Sequence, residues 1–265
     1  MKKFTIADFS VYKTQAKKIT MITAYDFNHA QLIAESLINT ILVGDSLGMV
    51  IQGAKNTLSV SLDDILYHTK AVRRGAPDKF VIADMPYLSY HLDSKTTIQN
   101  AGTLICTGGA DAVKLEINNV SMLSQISSLT DAQIPVIAHI GMTPQSVNVF
   151  GGFNVQGKNA EQVHHIETMA KLAQDAGARA IVIECVPSNL AQKITETLLI
   201  PTIGIGAGNG CDGQVLVLND LLGMSKHTPK FAKQYLDGKS LIKNALNKFS
   251  HEVTSQTFPS NKYSY

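Results

Sequence analysis

Short apolar runs rich in β-branched residues recur along the chain at 19–24, 40–44, 80–84, 112–116, 135–140, 180–184, 201–205 and 215–218. Near-continuous Val/Ile/Leu runs of this kind mark the strands of a parallel sheet covered on both faces. Between most of them, apolar residues fall three and four apart, which predicts helices over 28–38, 62–73, 96–107, 120–130, 160–176 and 189–199. Asp26, Ser61, Ser94, Asn159 and Ser188 stand where helix N-caps belong, and Gly75, Gly108 and Gly177 stand just past helix ends. Strand–helix alternation repeated about eight times predicts an α/β fold, a (β/α)8 TIM barrel. A doubly wound sheet is the alternative. Against it, the Gly-rich segment falls in the seventh unit and no dinucleotide fingerprint opens the chain.

The 265 residues are expected to form one domain, 1–265, because α/β barrels commonly reach this length and no linker-like stretch interrupts the pattern. Residues 1–18 are read as a segment capping the barrel's amino-terminal mouth, with a short helix within 5–17. After the last strand, 219–225 reads as a loop, 230–248 as a helix following Pro229, and 251–265 as a polar tail without order.

Bulk properties narrow the function more than the fold. Hydrophobic residues make up 45%, charged residues only 17%, and Trp is absent, a sparse charged surface that accords with subunit contacts. A net charge of +2 argues against nucleic-acid or membrane-surface partners. Cys106, Cys185 and Cys211 are far apart and form no CxxC, so neither a disulfide framework nor a zinc site is expected. The opening MKKFTIADFSVYK lacks the apolar stretch of an export signal, and no apolar run has membrane-spanning length, so a cytoplasmic location is expected.

The chemistry is suggested by acidic residues at or beside the ends of four strand-like runs: Asp45, Asp84, Glu116 and Glu184. In a TIM barrel, the carboxyl ends of the strands carry the active site. Four carboxylates converging on one rim repel each other unless a cation or a proton sits among them. Asp45 and Asp84, on neighbouring strands, supply the carboxylate pair that Mg2+ prefers; capping of the following turns is the alternative. Lys114 lies two residues before Glu116 and so shares its face of the strand, with Val113 and Leu115 on the other. There it either holds an anionic substrate or forms an internal ion pair that only fills the barrel. His139 ends the fifth run, where a histidine is commonly a hydrogen-bonded structural residue but here would join the acidic rim. Glu184, on the sixth run, stands where a general base would approach from another side, its pKa raised by burial and acidic neighbours; a glutamate satisfied by a backbone amide is the alternative. The glycines from Gly204 to Gly210 either cradle a phosphate or permit close backbone approach.

The segments MITAYD (21–26), GDSLGMVIQG (44–53), DDILYHT (63–69), ADMP (83–86), GADAVKLE (109–116), HIGMTPQSVN (139–148), GGFNVQG (151–157), IECVPSNLA (183–191) and IPTIGIGAGNGCDGQVLV (200–217) occur in order over most of the chain. Together they resemble the ketopantoate hydroxymethyltransferase family, also called 3-methyl-2-oxobutanoate hydroxymethyltransferase. The resemblance implies a barrel of the phosphoenolpyruvate/pyruvate superfamily type, Mg2+, and one-carbon transfer from 5,10-methylenetetrahydrofolate to 3-methyl-2-oxobutanoate. The product would be 2-dehydropantoate, on the way to pantothenate and coenzyme A, and the assembly a homodecamer. It further implies that Asp45 and Asp84 hold the metal, with Glu116 in or just outside its shell. Ser46, Asp84 and Lys114 would contact the oxo acid, and Glu184 would accept the proton. The chemistry adds His139 beside Lys114 at the oxo-acid end. The chain departs from the family at Ile117, often Gly, and at Tyr87-Leu88, often Phe-Gly. Two rivals remain at this level: a sister barrel that cleaves or rearranges a C–C or C–P bond of a 2-oxo acid, and a non-catalytic binding barrel.

Overall fold

Each strand lies parallel to the next in sequence, and the last pairs with the first, so the sheet closes on itself. The computed structural model describes residues 3–265; the first two residues of the expected 1–18 cap lie outside the described residues. Two compact units are distinguished, 1–217 and 218–265.

The first unit begins with α1 (Ile6–Thr14) and β1 (Ile19–Thr23), then α2 (Phe27–Ala34), β2 (Thr40–Val43), the single turn α3 (Leu47–Val50) and α4 (Leu62–Gly75). Next come β3 (Phe80–Asp84), α5 (Ser94–Gly102) and β4 (Ala112–Glu116). They are followed by α6 (Leu123–Asp131), β5 (Val136–Gly141), α7 (Val147–Phe150) and α8 (Ala160–Asp175). β6 (Ala180–Glu184), α9 (Ser188–Thr197), β7 (Thr202–Ile205) and β8 (Gly213–Leu216) complete the ring. The closed ring is the predicted (β/α)8 barrel, and a doubly wound open sheet is excluded. The second unit holds α10 (Leu218–Leu221) and α11 (Gly238–Thr254). α11 starts later than the expected 230–248 because Asp237 caps it, accepting from the Ser240 amide. Helix thus continues into the stretch read as an unordered tail, and Asn261–Tyr263 forms a 3-10 turn.

Other boundaries shifted for local reasons. Asp93, not Ser94, caps α5 by accepting from the Thr96 amide. The helix expected over 96–107 runs as α5 and then as a π turn at Thr103–Thr107. β8 opens earlier than its apolar run suggested, at Gly213, where a Cβ would stand 2.4 Å from the Ile19 carbonyl oxygen. Strand pairing there requires glycine.

The strand period of two divides the core. Phe9, Met21, Leu42, Phe80, Ile82 and Val182 belong to a cluster inside the barrel, whereas Val113, Leu115, Ala138 and Ile183 pack with helix residues such as Ile65, Ile126 and Leu190 outside it. Phe9, on α1, is fully buried in the inner cluster, 5.4 Å edge-on from Phe80 and 5.3 Å from Phe4. Phe80 opens β3, so these rings fill the barrel at the amino ends of the strands. Replacing Phe9 with Ala should lower unfolding free energy by about 3–5 kcal/mol, read from urea unfolding, because the cavity is ringed by barrel wall that collapses poorly. In the loop after β3, the exposed Leu88 has φ +67°. A side chain costs about 1 kcal/mol in that left-handed region. Leu88→Gly should therefore raise the melting temperature slightly, and a fall would show that the Leu88 side chain contributes more than its backbone costs.

Candidate active site

Register brings the polar strand ends together: Asp84 is level with Lys114, Glu116 with His139, and Gly141 with Glu184. Because Ala112 and Ile82 point into the barrel, the alternation also turns Lys114, Glu116 and Asp84 inward. The Lys114 ammonium donates to Asp84 Oδ1 at 2.6 Å and lies 3.9 Å from Glu116 Oε1. Asp84 Oδ2 accepts from the backbone N–H of Asp45 at 3.1 Å, which joins the ends of β2 and β3. His139 Nδ1 is 3.7 Å from Glu116 Oε1, and its Nε2 is 3.4 Å from Glu184 Oε2. Neither contact has hydrogen-bond geometry, so both ring nitrogens and Glu116 Oε1 are buried without a hydrogen-bond partner. The side chains of Asp84, Lys114, Glu116 and His139 are 2–5% exposed, but that of Glu184 is 17% exposed. Solvent reaches this group of five through Glu184.

Burial and mutual charge set the protonation states. Asp45 is raised to about 7, first by burial and then by the charge of Asp84 beside it, with Lys114 and Gln145 opposing the rise. Glu184 is raised to about 8, first by burial; Asp45 and Asp84 add to the rise and Lys114 opposes it. Burial also pushes Glu116 well above the usual carboxylate range. Burial alone would depress Lys114, but the carboxylates of Asp84, Glu116 and Asp45 outweigh it and raise the ammonium above its ordinary value. His139 is held well below its ordinary value by burial and by the Lys114 charge, so its imidazole is neutral.

The structure brings Asp45, Asp84, Lys114, Glu116, His139 and Glu184 into one connected group. It does not bring three metal-ligating side chains into one set: among the described residues no cluster of three or more His, Cys, Asp or Glu is arranged to hold an ion. Asp45 and Asp84 are joined, whereas Glu116 faces Lys114 and His139 and its Oε2 accepts from the Gln145 amide at 2.9 Å. Ser46 is half-buried beside them, and its hydroxyl shares a 2.8 Å hydrogen bond with the Tyr25 hydroxyl.

Two further residues escaped the sequence reading. Gln145 donates to Asp45 Oδ2 at 2.9 Å, and the Tyr90 hydroxyl donates to Gln145 Oε1 at 2.8 Å. Gln145 lies in the quoted segment HIGMTPQSVN, but an uncharged side chain between strands gives no periodic signal. The 204–210 glycines are explained in part by close approach. A Cβ at Gly208 would stand 2.4 Å from Ser188 Cβ, and one at Gly210 2.8 Å from Gln192 Cβ, so the loop lies directly on α9. A cavity of about 830 Å³ is lined by Ile117, Ile140, Gly141 and α8 residues including His165. None of the rim carboxylates lines it.

The family model for ketopantoate hydroxymethyltransferase matches residues 3–261. A protein named 3-methyl-2-oxobutanoate hydroxymethyltransferase from Clostridium botulinum is 52% identical over 264 residues, covering 99% of this chain and 96% of its own length. Relatives of the same name from Bdellovibrio bacteriovorus, 52% identical over 98% of this chain and 99% of their own, and from Enterococcus faecalis, 48% over 99% and 96%, are similar throughout. Among solved structures, phosphoenolpyruvate phosphomutase from Streptomyces platensis superposes with TM-score 0.65 at 12% identity, covering 95% of this chain and 88% of that one. A phosphonopyruvate hydrolase solved with oxalate and Mg2+ gives TM-score 0.64 at 11% identity, covering 97% and 92%. At those identities the likeness is one of fold alone, a closed (β/α)8 barrel. With a family model spanning nearly every residue and full-length relatives near half identity, the chain belongs to the ketopantoate hydroxymethyltransferase family.

Proposed function

We propose that the chain transfers a one-carbon unit from 5,10-methylenetetrahydrofolate to 3-methyl-2-oxobutanoate, giving 2-dehydropantoate for pantothenate and coenzyme A synthesis. The observation that carries this reading is the full-length similarity to relatives that bear that activity in their name, joined to a rim with one solvent-facing glutamate among buried charges. The rival C–C or C–P bond chemistry finds its relatives only at the level of fold.

Asp45 and Asp84 would hold Mg2+. The fit rests on the donor set: two hard oxygen donors are joined in a buried place, where the charge of Asp84 helps raise Asp45. When bound, the ion supplies positive charge that polarises a 2-oxo acid and spreads developing enolate charge. The Lys114 ammonium and the neutral His139 ring then hold the oxo-acid end, with the Ser46 hydroxyl oriented by Tyr25. Glu184 takes the proton from C3, leaving the electron pair as an enolate. C3 adds to the methylene carbon of the folate iminium, and water supplies the hydroxyl as tetrahydrofolate departs. A homodecamer in the cytoplasm belongs to the same reading. It is supported by the exposed apolar side chains Leu241, Ile242, Leu246 and Phe249 of α11, and no helix among the described residues is long and apolar enough to cross a membrane.

Proton NMR of 3-methyl-2-oxobutanoate in D2O tests the first half-reaction. With enzyme and Mg2+ the C3 proton signal should decay, and EDTA should stop the decay. A persistent signal, together with no product in a methylenetetrahydrofolate assay, would remove the reading. Glu184→Gln should slow exchange by at least about 100-fold while oxo-acid affinity stays within a few-fold; unchanged exchange takes the base role away from Glu184.

The same substitution has a thermodynamic signature. Glu184 is raised in the folded state to about 8 from its ordinary 4.5, so its contribution to folding is full below pH 4.5 and lost as pH rises to about 8. In EDTA, the melting temperature of Glu184→Gln relative to the parent should therefore climb from pH 4.5 to 8 and level off above. A difference that stays flat across that range would show that Glu184 is not buried as a neutral acid.

A further inference from the structure

Gln145 is 4% exposed, and every hydrogen-bonding group of its side chain is committed. One Nε2 hydrogen goes to Asp45 Oδ2 at 2.9 Å, the other to the Met85 carbonyl at 3.0 Å, and Oε1 accepts from Tyr90. The Tyr90 hydroxyl in turn accepts from the Glu116 backbone N–H at 3.1 Å, and the Gln145 backbone N–H holds Glu116 Oε2. The amide cannot turn over, because exchanging its oxygen and nitrogen would set acceptor against acceptor at both Asp45 and Met85. Gln145, through its side chain, its backbone N–H and its partner Tyr90, therefore ties together the ends of β2, β3 and β4.

The chemistry of the donor matters. Asp84 is oriented by a cation, Lys114. A second cation on Asp45 would compete with any metal for the same negative charge, whereas an amide fixes the carboxylate and leaves its charge in place. We propose that Gln145 is a positioning residue for metal binding, holding Asp45 in its ligating orientation with Tyr90 as its own support. The proposal rests on the reading that Asp45 and Asp84 hold the divalent ion.

Mg2+ binding measured by calorimetry on the full chain tests it directly, with Mn2+ titration by electron paramagnetic resonance as a second readout. Gln145→Met keeps the backbone bond to Glu116 and removes both side-chain donors. Its metal dissociation constant should rise about 10–100-fold, and its kcat should return when Mg2+ is raised above the new constant. Tyr90→Phe should show a smaller loss in the same direction. A lowered melting temperature with unchanged metal affinity in Gln145→Met would overturn the proposal as merely structural. Should that variant fail to fold, unchanged affinity in Tyr90→Phe overturns it instead. Loss of binding in Asp45→Asn but not in Gln145→Met defeats this proposal alone; no binding by the parent protein defeats it together with the metal reading.

Discussion

The Lys114 ammonium, 2.6 Å from Asp84 and 3.9 Å from Glu116, is the charge on which the acidic rim depends. Without it, three buried carboxylates and the partly exposed Glu184 would repel each other in a medium that screens poorly. With it, Asp84 has a fixed partner, and Asp45, Glu116 and Glu184, each raised above its ordinary value, hold their protons more tightly, which limits the remaining repulsion.

Around this charge lies a shell of neutral groups with separate tasks. Gln145 and Tyr90 bridge strand ends through hydrogen bonds, and neither adds charge. His139 adds none either, since burial and Lys114 keep it neutral. Its two unpartnered nitrogens lie between Glu116 and Glu184, so the ring faces a carboxyl on each side. Glycine does comparable work in the backbone. A Cβ at Gly141, with φ +90°, would stand 2.4 Å from the Glu184 carbonyl oxygen, so β5 and β6 approach closely where Glu184 is mounted.

The acidic rim was legible in the sequence because an acid at the end of a β-branched run is a visible interruption, and because a period of two places Lys114 with Glu116. Three strands, β3, β4 and β6, run over the stretches their apolar residues predicted. What stayed hidden was hidden for physical reasons. Gln145 meets Asp45 across 100 residues and Tyr90 across 55, and neither side chain perturbs a local pattern. β8 starts on Gly213 and Gln214, which lack apolar character, because its place is fixed by a backbone approach to Ile19. Family resemblance supplied roles that geometry alone leaves open, and the separation of Glu116 from the Asp45–Asp84 pair emerged only in three dimensions.

Closure of the ring also bears on how the chain folds as it is made. β1 pairs with β8, so Ile19 finds its neighbour Gly213 only after most of the first unit has been synthesised. Until then β1 presents an unpaired edge toward the missing β8, a surface open to wrong pairing. Such long-range pairing slows folding, because loop entropy is lost before the contact forms. The last strand is therefore the seal of the barrel, and the ribosome delivers it late.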